Sequence, residues 1–262
     1  MSLPWPEQVT VFATPTQLHV SRCVRGWRSR VEERWIEPCG EGTPAALAVP
    51  AALAAALMRS RPAAHERRGW MPRPLLRVLL SHHLAPLTLV AQARELLSDE
   101  ERQAAARHAF AAIYGAATAD WQIVVDNGPG NGALAAGLDL ALVEGLRRAA
   151  SAAGFALRSI EPAISAAAST PQGSKEAGWL VVAEPGRIVL ARRHGRVWHS
   201  IRTQRPRRSL AEDLGPWIDQ ARLIDGIEGP DRITVVETQP HELGALQRPG
   251  WTLVQTTLPE AA

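Results

Sequence analysis

The sequence predicts an α/β protein built as two lobes. Three observations carry this. Apolar and polar residues alternate at period two at the opening of each half, capped amphipathic helices are interleaved with short apolar runs, and the two opening segments resemble each other position by position. The chain of 262 residues, 46% hydrophobic and 21% charged, can bury one large core or two lobes of roughly 100–150 residues each.

Val9, Val11, Leu18, Val20, Val31 and Trp35 are separated by polar residues, which predicts three antiparallel strands over residues 8–37 with a hairpin near Gly26. Residues 40–74 are rich in Ala, Pro and Gly; within them Ala45–Met58 reads as a short helix, and Leu75–Leu80 as a buried strand. Ser98-Asp-Glu-Glu101 is a capping box, followed at helical spacing by Ala106, Phe110, Ile113 and Ala117, with Gly115 fraying the end. Asp139 opens a second helix through Leu142, Leu146, Ala149, Ala150 and Ala153, stopped by Gly154. Ser209 and Glu212 form another capping box ahead of Leu210, Leu214, Trp217, Ile218 and Ala221, and Gly215-Pro216 predicts a kink or break inside that helix. Trp121–Asp126 and Ala133–Leu138 are strands flanking the turn chemistry of Asn127-Gly-Pro-Gly-Asn-Gly132. Further strands follow at Phe155–Ile160, Trp179–Ala183, Arg187–Arg192, Val197–Thr203, Arg232–Val236 and Trp251–Gln255. The small, polar residues 166–178 predict an inter-lobe linker.

Composition excludes several classes. Ala45–Met58, interrupted by Pro50, falls short of the roughly 20 apolar residues of a bilayer span. The first residues have neither a basic nor an apolar signal region, so the expectation is a soluble, cytosolic protein. Cys23 and Cys39 make no disulfide framework and no zinc motif. Net charge is +3 and Lys175 is the only lysine, so no strong field favours an anionic partner, and nucleic-acid binding is not expected.

Val11–Val20 lines up without gaps on Val181–Leu190: Ala13 falls on Ala183, Pro15 on Pro185, Leu18 on Ile188 and Val20 on Leu190. Duplicated lobes place a cleft between them, where ligands usually bind. The segments Leu79–Val90, Ala106–Gly115 with Ala119-Asp-Trp121, Leu142–Leu157, Ser159-Ile-Glu-Pro162 and Gly178–Gly186 resemble, in order, those of the actin/Hsp70-like ATPase superfamily. Within it the likeness is to the PilM-type pilus assembly protein and the cytoplasmic domain of the GspL-type secretion protein. The resemblance implies a two-lobed actin-like ATPase fold of duplicated RNase H-like lobes. It further implies a first lobe over residues 1–165 with an inserted strand–helix–strand subdomain at about 80–130, the linker 166–178, and a second lobe over 179–262.

Members of that superfamily that bind ATP use Asp-x-Gly hairpins, whose glycines let backbone N–H groups reach phosphate oxygens while the aspartates position Mg²⁺. Here the first hairpin offers Ala13-Thr14-Pro15-Thr16, with no carboxylate and a proline that cannot donate. The second, Glu184-Pro185-Gly186, keeps a carboxylate but is followed by Arg187. The third, Val235-Val-Glu237-Thr-Gln-Pro240, has no glycine pair. These departures predict retained lobes and lost ATP chemistry, hence no cofactor and no enzyme activity. Thr14, Thr16, Glu184 and Gly186 would contact a nucleotide only if one binds; Thr14 and Glu184 could be a relict metal or phosphate site, but the reading favoured is that they are ordinary hairpin-turn residues.

Other chemistry is sparse. His82-His83 lack nearby ligands, and on a strand they point to opposite faces, so a structural role is expected. No P-loop ending or nucleophile elbow is present, and Asp120, Asp126, Asp139 and Glu144 do not fall at the turns where a two-metal nuclease needs them. Arg202, Arg205, Arg207 and Arg208 form a basic run in a loop that fits a solvated surface or an acidic partner. Nine Trp against one Tyr and three Phe points to partner contacts. Trp121, Trp179 and Trp217 read as core, leaving Trp5 and Trp27, with Arg205, Arg207 and Arg208, as candidate partner-binding residues. The resemblance thus implies a catalytically silent scaffold at the cytoplasmic inner-membrane face of a type IV pilus or type II secretion-like assembly. Its partner would be a PilN-like membrane-anchored protein, through which it meets the membrane peripherally. It would be free-standing or an isolated cytoplasmic domain. The competing reading is a divergent nucleotide-binding ATPase or kinase-like enzyme.

Overall fold

The computed structural model describes residues 7–24, 30–60, 73–91, 98–126, 132–170, 177–226, 231–238 and 251–258. The first half contains β1 (Gln8–Ala13), β2 (Gln17–Val24), β3 (Arg30–Pro38), α1 (Ala45–Arg59) and β4 (Leu75–Leu80). Then come β5 (Leu87–Ala91), α2 (Asp99–Tyr114), a 3-10 turn (Gly115–Asp120), β6 (Trp121–Val125), β7 (Gly132–Asp139) and α3 (Leu140–Ala152). β8 (Ala156–Pro162) and α4 (Ala163–Ala168) lead to β9 (Gly178–Glu184), β10 (Arg187–His194), β11 (Val197–Gln204), α5 (Leu210–Asp225), β12 (Asp231–Glu237) and β13 (Trp251–Thr257).

Two five-stranded sheets share one topology. Their orders are β3-β2-β1-β4-β8 and β11-β10-β9-β12-β13, each an antiparallel meander extended by parallel strands. The resemblance between the two openings extends to register: Ala13 faces Leu18 as Ala183 faces Ile188, and Val11 faces Val20 as Val181 faces Leu190. A third sheet, β5-β7-β6, is inserted after the first lobe's β4 and packs under α2, where Phe110 and Ala106 meet Val90, Ile123 and Ala135.

Strand alternation assigns each face of the large sheets its own core. Val9, Val11, Leu76 and Val78 face α1 and α3, meeting Val49, Leu53, Leu57, Leu142 and Leu146. Trp179, Val181, Ile233 and Val235 face α5 through Leu214, Ile218 and Ala221. The residues of opposite parity, Phe12 and Leu79 from one sheet and Leu180, Val182 and Val236 from the other, meet α4 in a shared apolar layer that joins the lobes. Both sheets are therefore covered on both faces, which explains why their central strands are nearly continuous apolar runs.

Helix ends follow the sequence. Ser98 Oγ accepts from the Glu101 N–H while Glu101 accepts from Ser98 N–H, and Ser209 with Glu212 repeats the arrangement. Asp139 caps α3 by accepting from Ala141 and Leu142. Three readings need correction. Gly215-Pro216 does not break α5, because Pro216 and Glu212, whose carbonyl loses its partner, are both exposed and water can serve that carbonyl. Residues 166–168, which read as the start of a linker, are the last turn of the buried α4. His82 and His83 are not on a strand: they form a turn after β4 and both bond the same hairpin. Trp179 is buried, whereas Trp121 and Trp217 are only partly buried against their cores. The hairpin near Gly26 and the turn 127–131 lie outside the described residues.

Candidate functional site

In α/β sheets ligands gather at the carboxyl ends of the strands. Here the ends of β1, β4, β9 and β12 deliver Thr14, Ser81, Glu184 and Thr238 to a cleft of about 370 Å³ between the two equivalent hairpins. Backbone bonds fix this convergence: Ser81 N–H donates to Ala13 C=O at 2.9 Å, and Thr238 N–H to Ala183 C=O at 3.3 Å.

The first hairpin is a self-contained turn. Thr14 Oγ1 donates to the Gln17 carbonyl at 2.8 Å and accepts from the Gln17 N–H at 3.1 Å, while Thr16 Oγ1 lies 3.4 Å from the Thr14 hydroxyl. Thr14 thus closes the turn around Pro15. The second hairpin turns through Pro185 and Gly186, whose φ of 73° is the left-handed conformation this position requires. Deeper in the cleft, Gln17 Nε2 lies 2.9 Å from His19 Nε2, and burial holds the His19 imidazole below its usual pKa.

Glu184 is the unusual group. At 3% exposure it accepts from Ser81 Oγ at 2.6 Å and from the His82 N–H at 3.1 Å, and its other oxygen is 2.6 Å from His82 Nδ1. Burial pushes its pKa up, but the neighbouring His82 and the hydrogen bonds from His82 and Ser81 outweigh this and leave it below the ordinary carboxylate value. Around it Arg187 Nη1 donates to the His82 carbonyl, and His83 Nε2 lies 3.0 Å from the Pro185 carbonyl oxygen. The carboxylate that sequence reasoning placed at a phosphate hairpin is consumed by the opposite lobe. Glu237, at the third position, is likewise buried and accepts from Gln255 Nε2 of the adjacent strand at 2.8 Å. Sequence reasoning missed Ser81 and His82 as partners; their only local signal is a polar pair directly after the apolar run of β4.

Of the candidate partner residues, Arg205, Arg207 and Arg208 are exposed in the loop before α5, where the backbone N–H groups of Arg207 and Arg208 donate to Asp213 Oδ2. Arg202 does not belong with them, because it forms a two-armed pair with Asp225 at 2.5 and 3.0 Å. Trp5 and Trp27 lie outside the described residues. A second concavity, of about 200 Å³, separates β6 from β8 and carries Val124, Leu138, Val143 and Leu157 with Arg147 and Arg158. β6 and β8 are both edge strands of their sheets. Among the described residues no three His, Cys, Asp or Glu gather as a metal site, and no helix is long and apolar enough to cross a membrane.

Two sheets of one topology closing on a cleft at their strand ends define the two-lobed actin-like ATPase fold, and this chain has it. No protein-family model and no curated protein matches the sequence. Among solved structures it is similar to a chain of a PilM–PilN type IV pilus biogenesis complex (TM-score 0.62, 10% identity, covering 97% of this chain and 88% of that one). It is similar to the cytoplasmic domain of EpsL, an inner-membrane component of the type II secretion system of Vibrio cholerae (TM-score 0.56, 13% identity, 94% and 89%). A Bacteroides thetaiotaomicron protein of unknown function with an actin-like ATPase fold is also similar (TM-score 0.57, 8% identity, 98% and 92%).

Proposed function

We propose that this chain is an actin-fold adaptor without ATP chemistry, serving the cytoplasmic face of a type IV pilus or type II secretion-like assembly by holding a segment of a membrane-anchored, PilN-like partner. One observation carries the loss of ATP chemistry: Glu184 is spent across the cleft on Ser81 and His82. A nucleotide there would have to break those bonds and set its phosphates beside a buried carboxylate, facing a first hairpin whose Pro15 has no N–H to offer. The division into lobes 1–165 and 179–262 belongs to this reading. Thermal unfolding with millimolar Mg-ATP or Mg-ADP is the test. The expected result is no shift; a shift of several degrees means a bound nucleotide and turns the reading to a divergent ATPase or kinase-like enzyme.

The concavity between β6 and β8 is the surface that suits such a partner. Two strands that are sheet edges among the described residues offer backbone groups to an extended segment, Val124, Leu138 and Val143 supply an apolar floor, and the exposed Arg147 and Arg158 favour an acidic one. Reversing both charges (Arg147→Glu, Arg158→Glu) is expected to weaken the partner's cytoplasmic segment about tenfold or more. Anisotropy of the labelled segment measures this, and unchanged affinity removes the groove from the reading. Trp5, Trp27, Arg205, Arg207 and Arg208 remain candidates for additional contacts.

A further inference from the structure

We propose that the turn 81–83 and the hairpin 184–187 form a latch: made, it holds the mouth of the inter-lobe cleft shut; released, it lets the mouth open about the apolar layer behind it. The proposal goes beyond the adaptor reading and stands independently of any partner.

The latch is polar, directional and two-sided. Ser81 Oγ and His82 N–H donate to Glu184, His82 Nδ1 lies against the same carboxylate, Arg187 reaches back to the His82 carbonyl, and His83 meets the Pro185 carbonyl. Each of these contacts joins residues from opposite lobes, more than a hundred positions apart in the chain. Ser81, His83, Glu184 and Pro185 also line the cleft. When the contact parts, water can therefore reach the groups that separate, which lowers the cost of opening well below that of exposing a polar cluster enclosed in a core.

What lies behind the latch holds firm. Phe12, Leu79, Ile164, Val182 and Val236 form a buried apolar layer with no polar groups to solvate. On the far side the inserted sheet is seated on the second lobe. Trp198 Nε1 donates to Asp126 Oδ2 at 3.4 Å, the Arg193 guanidinium lies 4.4 Å from the Trp198 ring centre, and a Cβ on Gly132 would sit 2.8 Å from the Trp198 carbonyl oxygen. Release therefore frees the cleft mouth while the lobes stay joined, which is a hinge geometry.

Hydrogen–deuterium exchange on the full chain tests the latch, comparing wild type with Ser81→Ala, Arg187→Ala and Glu184→Gln. In wild type, exchange at residues 81–85 and 184–188 is expected to be faster than at the central stretches of β1 and β9, because the latch parts before the chain unfolds; in the variants those segments are expected to speed up about tenfold, the equivalent of losing one ordinary latch bond. The Ser81→Ala, Arg187→Ala double variant should open further and raise the radius of gyration in solution scattering. Wild-type exchange at those segments as slow as in the central strands would mean a plain structural core pair, and unchanged rates there in the variants would mean no latch; either overturns the proposal. Should Glu184→Gln fail to fold, the other two single variants decide it, since each removes one bond across the lobes and leaves the carboxylate beside His82; Ser81→Ala also removes the His83 N–H bond within the turn, which Arg187→Ala leaves intact.

Discussion

Replacing Glu184 by alanine lowers the stability of this protein by about 3 kcal/mol, because it leaves buried hydrogen-bond donors without their acceptor. The loss has named parts: the Ser81 hydroxyl and the His82 N–H lose their acceptor, His82 Nδ1 loses its carboxylate, and all three sit where exposure is only a few per cent. For a chain of this size the melting temperature falls by about 2–4 °C per kcal/mol, so the drop is large enough to read in a single thermal scan. Its pH dependence is the sharper signature. Because the folded-state pKa of Glu184 is depressed, the folded protein binds that proton less tightly than the unfolded chain does. The stabilisation is complete above the unfolded carboxylate value of about 4.3 and is lost as pH falls below it through the depressed folded value. Urea midpoints at pH 7 and in that acid window should therefore converge between wild type and Glu184→Ala as the pH drops. A constant gap at both pH values would show that the lost volume, and not the charge, carries the effect.

Most of the architecture is legible in the sequence because it rests on local chemistry. Period-two alternation marks β1 and β2, nearly continuous apolar runs mark β4 and β9, and the capping boxes at Ser98 and Ser209 mark two helix starts to the residue. What the sequence hides is either neutral in composition or distant in contact. The Ala-rich α4 looks like a linker because alanine is equally at home in both, and only the shared apolar layer makes it a buried helix. Glu184 and Thr14 were visible at equivalent hairpins, yet their fates differ for reasons no local pattern encodes. Thr14 bonds within its own turn, while Glu184 finds Ser81 and His82 across the lobes. A carboxylate at a strand end reads the same whether it faces a metal or a serine, so the sequence reading of that site rested on missing glycines and a proline in the first hairpin.

The contact between α1 and α3 makes a prediction that sequence propensities get backwards. Gly145 lies in the middle of α3 and Pro50 in the middle of α1, both poor helix residues by themselves. They face each other: a Cβ built on Gly145 lies 2.6 Å from Pro50 Cγ and 2.9 Å from Pro50 Cβ. The helices cannot move apart to make room, because Leu53, Leu57, Leu142 and Leu146 are fully buried around the crossing, and a pyrrolidine ring fused to the backbone cannot swing aside. Gly145→Leu is therefore expected to cost about 3 kcal/mol through overpacking. Gly145→Ala is expected to cost about 1–2 kcal/mol, its clash outweighing a helix-propensity gain of about 1 kcal/mol. Pro50→Ala removes Cγ, the nearer of the two obstructing carbons, keeps Cβ without tying it into a ring, and restores an N–H for the Ala46 carbonyl, which lies 3.8 Å from the same Cβ position. In the Pro50→Ala background the closer clash is gone and the remaining one is with a single methyl, so Gly145→Ala should cost clearly less, a coupling of about 1 kcal/mol in a double-mutant cycle measured by urea unfolding. Additive effects would mean that Gly145 is kept for some reason other than the proline it faces. A penalty that shrinks in the Pro50→Ala background would show that two residues unfavourable in isolated helices stand together here because the glycine makes room for the proline ring.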